Sequence, residues 1–315
     1  MGSSVSQTTN AGVYGAPPAD LVDVADKAVQ FSPLLPGSAA LEAARPASFD
    51  GMVLLAPPGT LERRAIIALA LKALKPGAPL TVLALKDKGG LRIAKELKAF
   101  GCDVGEDSRK HFRICQTLRP ESFDREGREA IAAAIAEGGP RRDEALGLWT
   151  QPGVFSWDRL DPGSALLIEH LPKLSGKVAD LGCGIGALSI AVLAASPKVE
   201  SIAMVDIDRR AVEAARQNVT DPRATVQWAD VRGGQGLPQK LDFVVMNPPF
   251  HDGGTEDKAL GQGFIRQAAD MLKPGGFLWL TANRHLPYEE VLKPIFKLVT
   301  LKAESGGYKI FEARK

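Results

Sequence analysis

Asn247-Pro248-Pro249-Phe250 is the stretch of this chain whose residue types most directly suggest a chemical task. An exocyclic amine on a nucleobase is a poor nucleophile because its lone pair is delocalised into the ring. Two acceptors, the Asn247 side-chain oxygen and the Pro248 carbonyl, suit the two amino hydrogens and favour the tetrahedral geometry that frees the pair. Pro249 stiffens the turn, and Phe250 offers a π face on which a base stacks. His251 follows, and we read it as part of the substrate surface rather than as a proton shuttle, since a lone histidine beside an aromatic turn more often shapes a loop. The expected step is an in-line displacement of a methyl group from a sulfonium, with positioning as the main lever. It calls for neither a metal nor a permanent general base.

The electrophile's half of the site is expected some sixty residues upstream. Val178-Ala179-Asp180-Leu181-Gly182-Cys183-Gly184-Ile185-Gly186 reads as a strand that breaks into a glycine-rich turn and opens onto a helix. Glycines at alternate positions let the backbone approach a ligand where a Cβ would collide. Asp206, with Ile207 after it, ends the next apolar strand, where a carboxylate accepts both hydroxyls of a ribose. Asp230 ends the third strand and either caps its loop or accepts from an adenine amino group. A nicotinamide dinucleotide would satisfy much of this pattern. Two features favour S-adenosylmethionine: the run lacks the two-residue interval before its third glycine, and Asp180 is awkward against a pyrophosphate but natural near a sulfonium or ammonium group. The expected cofactor-binding set is Asp180, Gly182, Cys183, Gly184, Gly186, Asp206, Ile207, Asp230 and Asn247.

These residues need a sheet to hold them. The periodicity predicts strands near 178–182, 201–206, 224–229, 241–246 and 277–282, with helices near 187–195, 209–218, 259–272 and 288–296. Strict alternation of this kind gives a doubly wound, mostly parallel sheet with its ligands at the carboxyl ends of the strands. Two further strand-like runs, 297–303 and 307–313, flank Ser305-Gly306-Gly307 and predict a closing antiparallel hairpin.

The first half repeats part of this pattern. Pro36-Gly37-Ser38 recurs as Pro162-Gly163-Ser164, Val53-Leu54-Leu55-Ala56-Pro57-Pro58 as Val244-Val245-Met246-Asn247-Pro248-Pro249, and Leu74-Lys75-Pro76-Gly77 as Leu272-Lys273-Pro274-Gly275. His111-Phe112-Arg113-Ile114 stands where Gly307-Tyr308-Lys309-Ile310 stands, as the second arm of a hairpin. Four matches in one order indicate an ancestral duplication. Pro162 and Pro248 are 86 residues apart, Pro36 and Pro57 only 21, so the first copy is expected to have lost about two βα units. It also lacks the glycine turn and reads Ala56-Pro57-Pro58-Gly59 in place of the amide and the ring, so it should neither bind the cofactor nor catalyse. The second copy carries seven extra residues around His251–Glu256, a mobile flap over an extruded base or a plain surface loop.

Length and composition set the frame. A chain of 315 residues, 45% hydrophobic, 24% charged and of formal net charge +2, is expected to be a soluble two-domain protein of the cytoplasm, monomeric because the duplication supplies its own second domain. The start, MGSSVSQTTNAG, reads as a disordered lead-in. Cys102, Cys115 and Cys183 have neither metal-ligand spacing nor an even count. Near-neutral charge leaves room for local basic patches, with Lys86, Lys88, Arg92, Lys95 and Lys98 as one candidate. The expected boundaries are 1–120 for the degenerate domain, 121–150 for a linker helix and loop, and 151–315 for the catalytic domain.

Asp180-Leu-Gly-Cys-Gly-Ile-Gly186, Asp206 and Asn247-Pro-Pro-Phe-His-Asp-Gly253 together resemble the class I methyltransferases. More narrowly they resemble the ribosomal RNA small-subunit guanine-N2 methyltransferase C family and its large-subunit relative. Gly153-Val-Phe-Ser156 and Leu160-Asp-Pro-Gly-Ser164 extend the likeness, which covers roughly 150–315. The resemblance implies a Rossmann-like domain with a seven-stranded sheet behind a degenerate copy of the same fold. It implies Asn247, Pro248 and Phe250 as catalytic residues, and Phe155, Pro249, Phe250 and His251 against the substrate. The implied substrate is a guanine N2 amine in ribosomal RNA. Adenine N6 and a protein glutamine amide suit the same acceptor pair, and a catalytically silent RNA-binding or ribosome-assembly factor is the reading from another class.

Overall fold

The computed structural model describes residues 10–234, 236–249, 251–252, 255–256 and 258–315. The chain divides into two units, Met1–Gly139 and Pro140–Lys315.

The first unit is built from β1 (Ala11–Tyr14), β2 (Val29–Phe31), β3 (Gly51–Leu55), α1 (Thr60–Ala73), β4 (Pro79–Leu85), α2 (Ile93–Ala99), β5 (Gly105–Arg109), β6 (Phe112–Leu118) and α3 (Arg125–Gly138). Its six strands run β2-β1-β3-β4-β6-β5, the first four parallel and β6 antiparallel to both neighbours. Helix α1 presents Ile66, Ile67, Ala70, Leu71 and Leu74, all buried, at the three- and four-residue spacing of a core-facing helix. It stops where Pro76 removes a donor and restricts Lys75. The helix expected in a linker packs instead in this unit: α3 is capped by Asp124, whose carboxylate accepts from the Gly127 N–H at 2.7 Å, and Ala134 is fully buried in the unit's core. Its small Ala-rich face gives a weak amphipathic signal, and such a face needs a close partner helix, here α1, to bury anything.

The second unit opens with a short ladder, β7 (Arg141–Arg142) and β8 (Trp149–Thr150). It continues through α4 (Pro162–His170), β9 (Ser175–Leu181), α5 (Ala187–Ala195), β10 (Lys198–Asp206), α6 (Arg209–Asn218), β11 (Ala224–Trp228) and β12 (Leu241–Met246). Then come β13 (His251–Asp252), β14 (Thr255–Glu256), α7 (Lys258–Met271), β15 (Leu272–Asn283), α8 (Tyr288–Leu292), β16 (Leu298–Ser305) and β17 (Tyr308–Arg314). The seven-stranded sheet runs β11-β10-β9-β12-β15-β17-β16, with β17 antiparallel to both neighbours. Strand order reverses between β9 and β12, so the switch point lies between the glycine turn and Asn247. The segment expected as a flap pairs His251–Asp252 with Thr255–Glu256; its remaining residues lie outside those described.

The sheets match position by position. β2-β1-β3-β4-β6-β5 stands where β10-β9-β12-β15-β17-β16 stands, with the same directions, and β11 has no counterpart among the described residues. This corrects the expected deletion. β1 and β2 precede Pro36, whereas β9 and β10 follow Pro162, so the two Pro-Gly-Ser segments are not equivalent. The first unit keeps the two strands and lacks the helix between them: residues 15–28 cross from β1 to β2 without a helix. Strands of four and three residues with no amphipathic helix between them leave almost no periodic trace.

Candidate functional site

Strand β9 carries Asp180 into the switch point fully buried. The chain then turns through Gly182, Gly184 and Gly186 at φ of +71°, +54° and +94°, a left-handed path that residues with a Cβ adopt only with strain. At Gly186 a Cβ would also stand 2.9 Å from Val219 Cγ2. A Cβ at Gly184 would meet nothing within 4 Å, so this position faces open space. The Gly184 N–H donates to Asp206 Oδ2 at 2.8 Å, and the Asp208 N–H donates to Asp206 Oδ1 at 2.8 Å. The acid at the end of β10 is thus locked to the glycine turn. Burial pushes the Asp206 carboxyl up to about 6 against these two N–H bonds.

Asp180 lies beneath the turn. Ser189 Oγ donates to its Oδ2 at 2.7 Å, while Oδ1 is buried with no hydrogen-bond partner among the described residues. Burial raises this carboxyl to about 7, with the Ser189 bond opposing and the nearby Asp206 charge adding. A buried carboxylate with a spare acceptor fits a cationic group above it far better than a phosphate. Cys183 is buried, and burial holds its thiol well above the ordinary range.

Across the switch point, Asn247 follows β12. Its Nδ2 donates to Asp161 Oδ2 at 2.7 Å and to Ser164 Oγ at 2.9 Å. Asp161 is the N-cap of α4, accepting the Ser164 N–H at 2.8 Å, with Pro162 in the first turn. Gly163 brings this helix close: a Cβ there would stand 2.6 Å from the Tyr308 ring.

A narrow cleft, open to solvent, joins the two halves. Gly182, Cys183, Gly184 and Ile185 line one side, Asp161, Ser164 and Asn247 the other, and Leu146, Leu148, Phe155, Ser156 and Arg159 the rim. Phe155 is 58% exposed, a large aromatic surface left at the mouth. The rim is tied down. Asn218 at the end of α6 accepts from the Trp149 N–H at 2.7 Å and donates to the carbonyls of Trp149 and Ile185, each at 2.9 Å. Ser156 holds φ +54° while its Oγ donates to the Arg159 carbonyl at 2.8 Å, a strained residue of the kind that collects at functional sites.

Gly182, Cys183, Gly184, Asn247 and Phe155 therefore meet at one cleft, with Asp206 bracing it and Asp180 and Gly186 packed behind. Ile207 follows Asp206, and its carbonyl accepts from Trp228 Nε1 at 2.7 Å. Asp230 caps the turn at 231–233 and pairs with Arg232 at 2.8 Å, which holds its carboxyl below the usual range. It is not among the cleft-lining residues. Pro248 is buried and Pro249 half-buried along the turn. Phe250 and the His251 side chain lie outside the described residues. Sequence reasoning missed Asp161, Ser164, Arg159 and Asn218 as site residues. Asp-Pro at a helix start was a visible capping signal, but its partner is 86 residues away.

In the first unit the matching turn is closed. Arg63, fully buried, donates to the Pro58 carbonyl at 2.7 Å and the Pro57 carbonyl at 3.4 Å, and forms a two-pronged pair with Glu96 at 2.7 and 2.9 Å.

A seven-stranded sheet of this order, with a glycine turn and an Asn-Pro-Pro turn facing each other across its switch point, has the Rossmann-like class I methyltransferase fold. Residues 145–312 match the family model for the methyltransferase small domain. The ribosomal RNA small subunit methyltransferase C of Shewanella loihica is 34% identical over 274 residues, 85% of this chain and 78% of that one. The Pseudomonas entomophila protein of the same name is 32% identical over 85% of this chain and 80% of its own. The chain belongs to this ribosomal RNA small subunit methyltransferase C family. The T. thermophilus 16S rRNA N2 methyltransferase, solved with AdoMet and guanosine, matches with a TM-score of 0.72 and 26% identity over 88% of this chain and 76% of that one.

Proposed function

We propose that the protein transfers a methyl group from S-adenosylmethionine to the exocyclic N2 amine of a guanine in ribosomal RNA, using the second unit alone. The observation that carries this reading is the Asn247 amide at the cleft. Both its hydrogens are committed to Asp161 and Ser164, so its oxygen end is the one left for an incoming amine. Asn247 Oδ1 and the Pro248 carbonyl would accept the two amine hydrogens and hold the nitrogen lone pair toward the electrophile. S-adenosylmethionine supplies an electrophilic methyl on a sulfonium. Asp206 would accept its ribose hydroxyls, the Gly182–Gly186 turn would let the backbone close on it, and Asp180, buried beneath that turn, would favour its cationic end through charge rather than contact. The amine, once methylated, is acidic enough to release a proton to water. Phe155 at the mouth, with Pro249, Phe250 and His251, is proposed to hold the extruded base.

The choice of guanine N2 rests on the names of the relatives and on the guanosine in the T. thermophilus structure. The first unit is proposed to be non-catalytic and to bind no cofactor, since Arg63 occupies the acceptors of its Pro-Pro turn. Lys86, Arg92, Lys95 and Lys98, exposed on the turns and helix between β4 and β5, suit it to docking RNA backbone. A monomer acting in the cytoplasm, where ribosomal RNA is found, completes the reading. Nucleoside analysis of RNA, with amino-acid analysis of protein, from a deletion strain tests it: N2-methylguanosine should fall. A fall in N6-methyladenosine or methylglutamine with N2-methylguanosine unchanged would overturn the choice of substrate.

A further inference from the structure

We infer that Asp161, with Ser164, is a positioning residue for methyl transfer, setting which way the Asn247 amide faces; this rests on the reading of Asn247 as an amine acceptor. An asparagine amide is nearly symmetric in shape, and rotating it by half a turn exchanges its oxygen for its NH2 group. With the NH2 in the oxygen's place, a substrate amine would meet a donor, and the acceptor pair would be lost. The Asp161 carboxylate is an acceptor only, so it admits the NH2 end of Asn247 and repels the oxygen end. Ser164 Oγ takes the second hydrogen at 2.9 Å. The carboxylate is itself fixed, because the same Oδ2 accepts the backbone N–H of Ser164 at 2.8 Å. Asp161 and Ser164 are both buried, which strengthens the preference by removing water as a competing partner. The helix cap thus doubles as the device that orients the catalytic amide.

Asp161→Ser tests this, because serine caps helices as well as aspartate but is too short to reach the amide. The expected result is a fall in kcat of about 10- to 100-fold, with KM for RNA and S-adenosylmethionine affinity by calorimetry within twofold of the parent. Asp161→Asn should recover most of the loss, since an amide oxygen at the same place accepts from both Ser164 and Asn247. Ser164→Ala should cost less than Asp161→Ser. In an Asn247→Ala background, Asp161→Ser should add nothing, since its effect passes through Asn247. Thermal melts check that each variant is folded. Parental kcat in Asp161→Ser with Asn247→Ala inactive would overturn the positioning role and leave the acceptor reading standing. So would additive losses in the double variant, or equal losses in kcat and cofactor affinity. Activity retained in Asn247→Ala would overturn the acceptor reading and this inference with it.

Discussion

At the end of β3 the backbone turns through Ala56-Pro57-Pro58-Gly59; at the end of β12, in the matching sheet position, it turns through Asn247-Pro248-Pro249. The two turns share a rigid pair of prolines. In the first unit a buried guanidinium from α1 donates to both carbonyls and is neutralised by Glu96. In the second, a side-chain amide is braced from behind by Asp161 and Ser164 and looks into a cleft. The same backbone thus makes a closed structural joint when its acceptors are satisfied internally and, on the function proposed above, a site when one is held for a substrate amine. A buried acceptor has to be paired, and which partner it gets decides between stability and chemistry.

The sharpest way to break this contrast is Asn247→Ala, which gives the second turn the first turn's residue. Transfer should fall by about 10³-fold, while S-adenosylmethionine affinity, measured by calorimetry, stays within about threefold. Comparable loss of both would mean that Asn247 belongs to the cofactor's side of the cleft. Next in size is Arg63→Met. It strands a buried carboxylate and the Pro58 carbonyl, and should cost about 3–5 kcal/mol in urea unfolding of the first unit. Arg63→Met with Glu96→Leu should recover much of that, and specific activity of the folded protein should not change in either. If Arg63→Met instead let the 1–139 unit bind S-adenosylmethionine, that unit would be an occluded site rather than a structural joint.

The second unit was largely legible in the sequence because its signals are local. Alternating periods mark its strands and helices, Gly182, Gly184 and Gly186 announce a left-handed turn, and Asp206 falls where β10 must end. The brace behind Asn247 was not legible, since Asp161 and Ser164 reach it from 86 and 83 residues away. The same holds for Asn218, which fastens Trp149 across 69 residues. In the first unit the failure was of another kind. The Pro36-Gly37-Ser38 match pulled the repeat out of register, because β1 and β2 are too short to show a period and the helices that would have flagged them are gone. The capping role of Asp230 was readable because its partner, Arg232, is only two residues on.

A smaller effect separates the acid that braces the glycine turn from its neighbours. Both Asp206 oxygens accept backbone N–H groups, so in Asp206→Asn one of those donors would face the new NH2 group. S-adenosylmethionine affinity should weaken by about 10- to 100-fold, with kcat at saturation nearly kept. An equal loss of kcat would place Asp206 in the reacting geometry rather than in binding.

The smallest expected effect is a pH dependence of S-adenosylmethionine affinity that the Asp206→Asn variant should lack. Burial raises the Asp206 carboxyl from 3.8 to about 6, so the folded protein holds this proton more tightly than the unfolded chain does. The sign follows from linkage: the contribution to stability is full below the unfolded value and is lost as pH rises through about 6. Asp180, raised to about 7, acts in the same direction. Ligand-free protein should therefore melt at progressively lower temperature as pH rises from 4 to 7 at these two groups. Binding runs the other way, because ribose hydroxyls need the ionised carboxylate. S-adenosylmethionine affinity should rise about tenfold per pH unit up to the Asp206 value and then level off. The same slope in Asp206→Asn would transfer the titration to Asp180 and make the buried acid beneath the turn, rather than the one bracing it, the group that senses the cofactor.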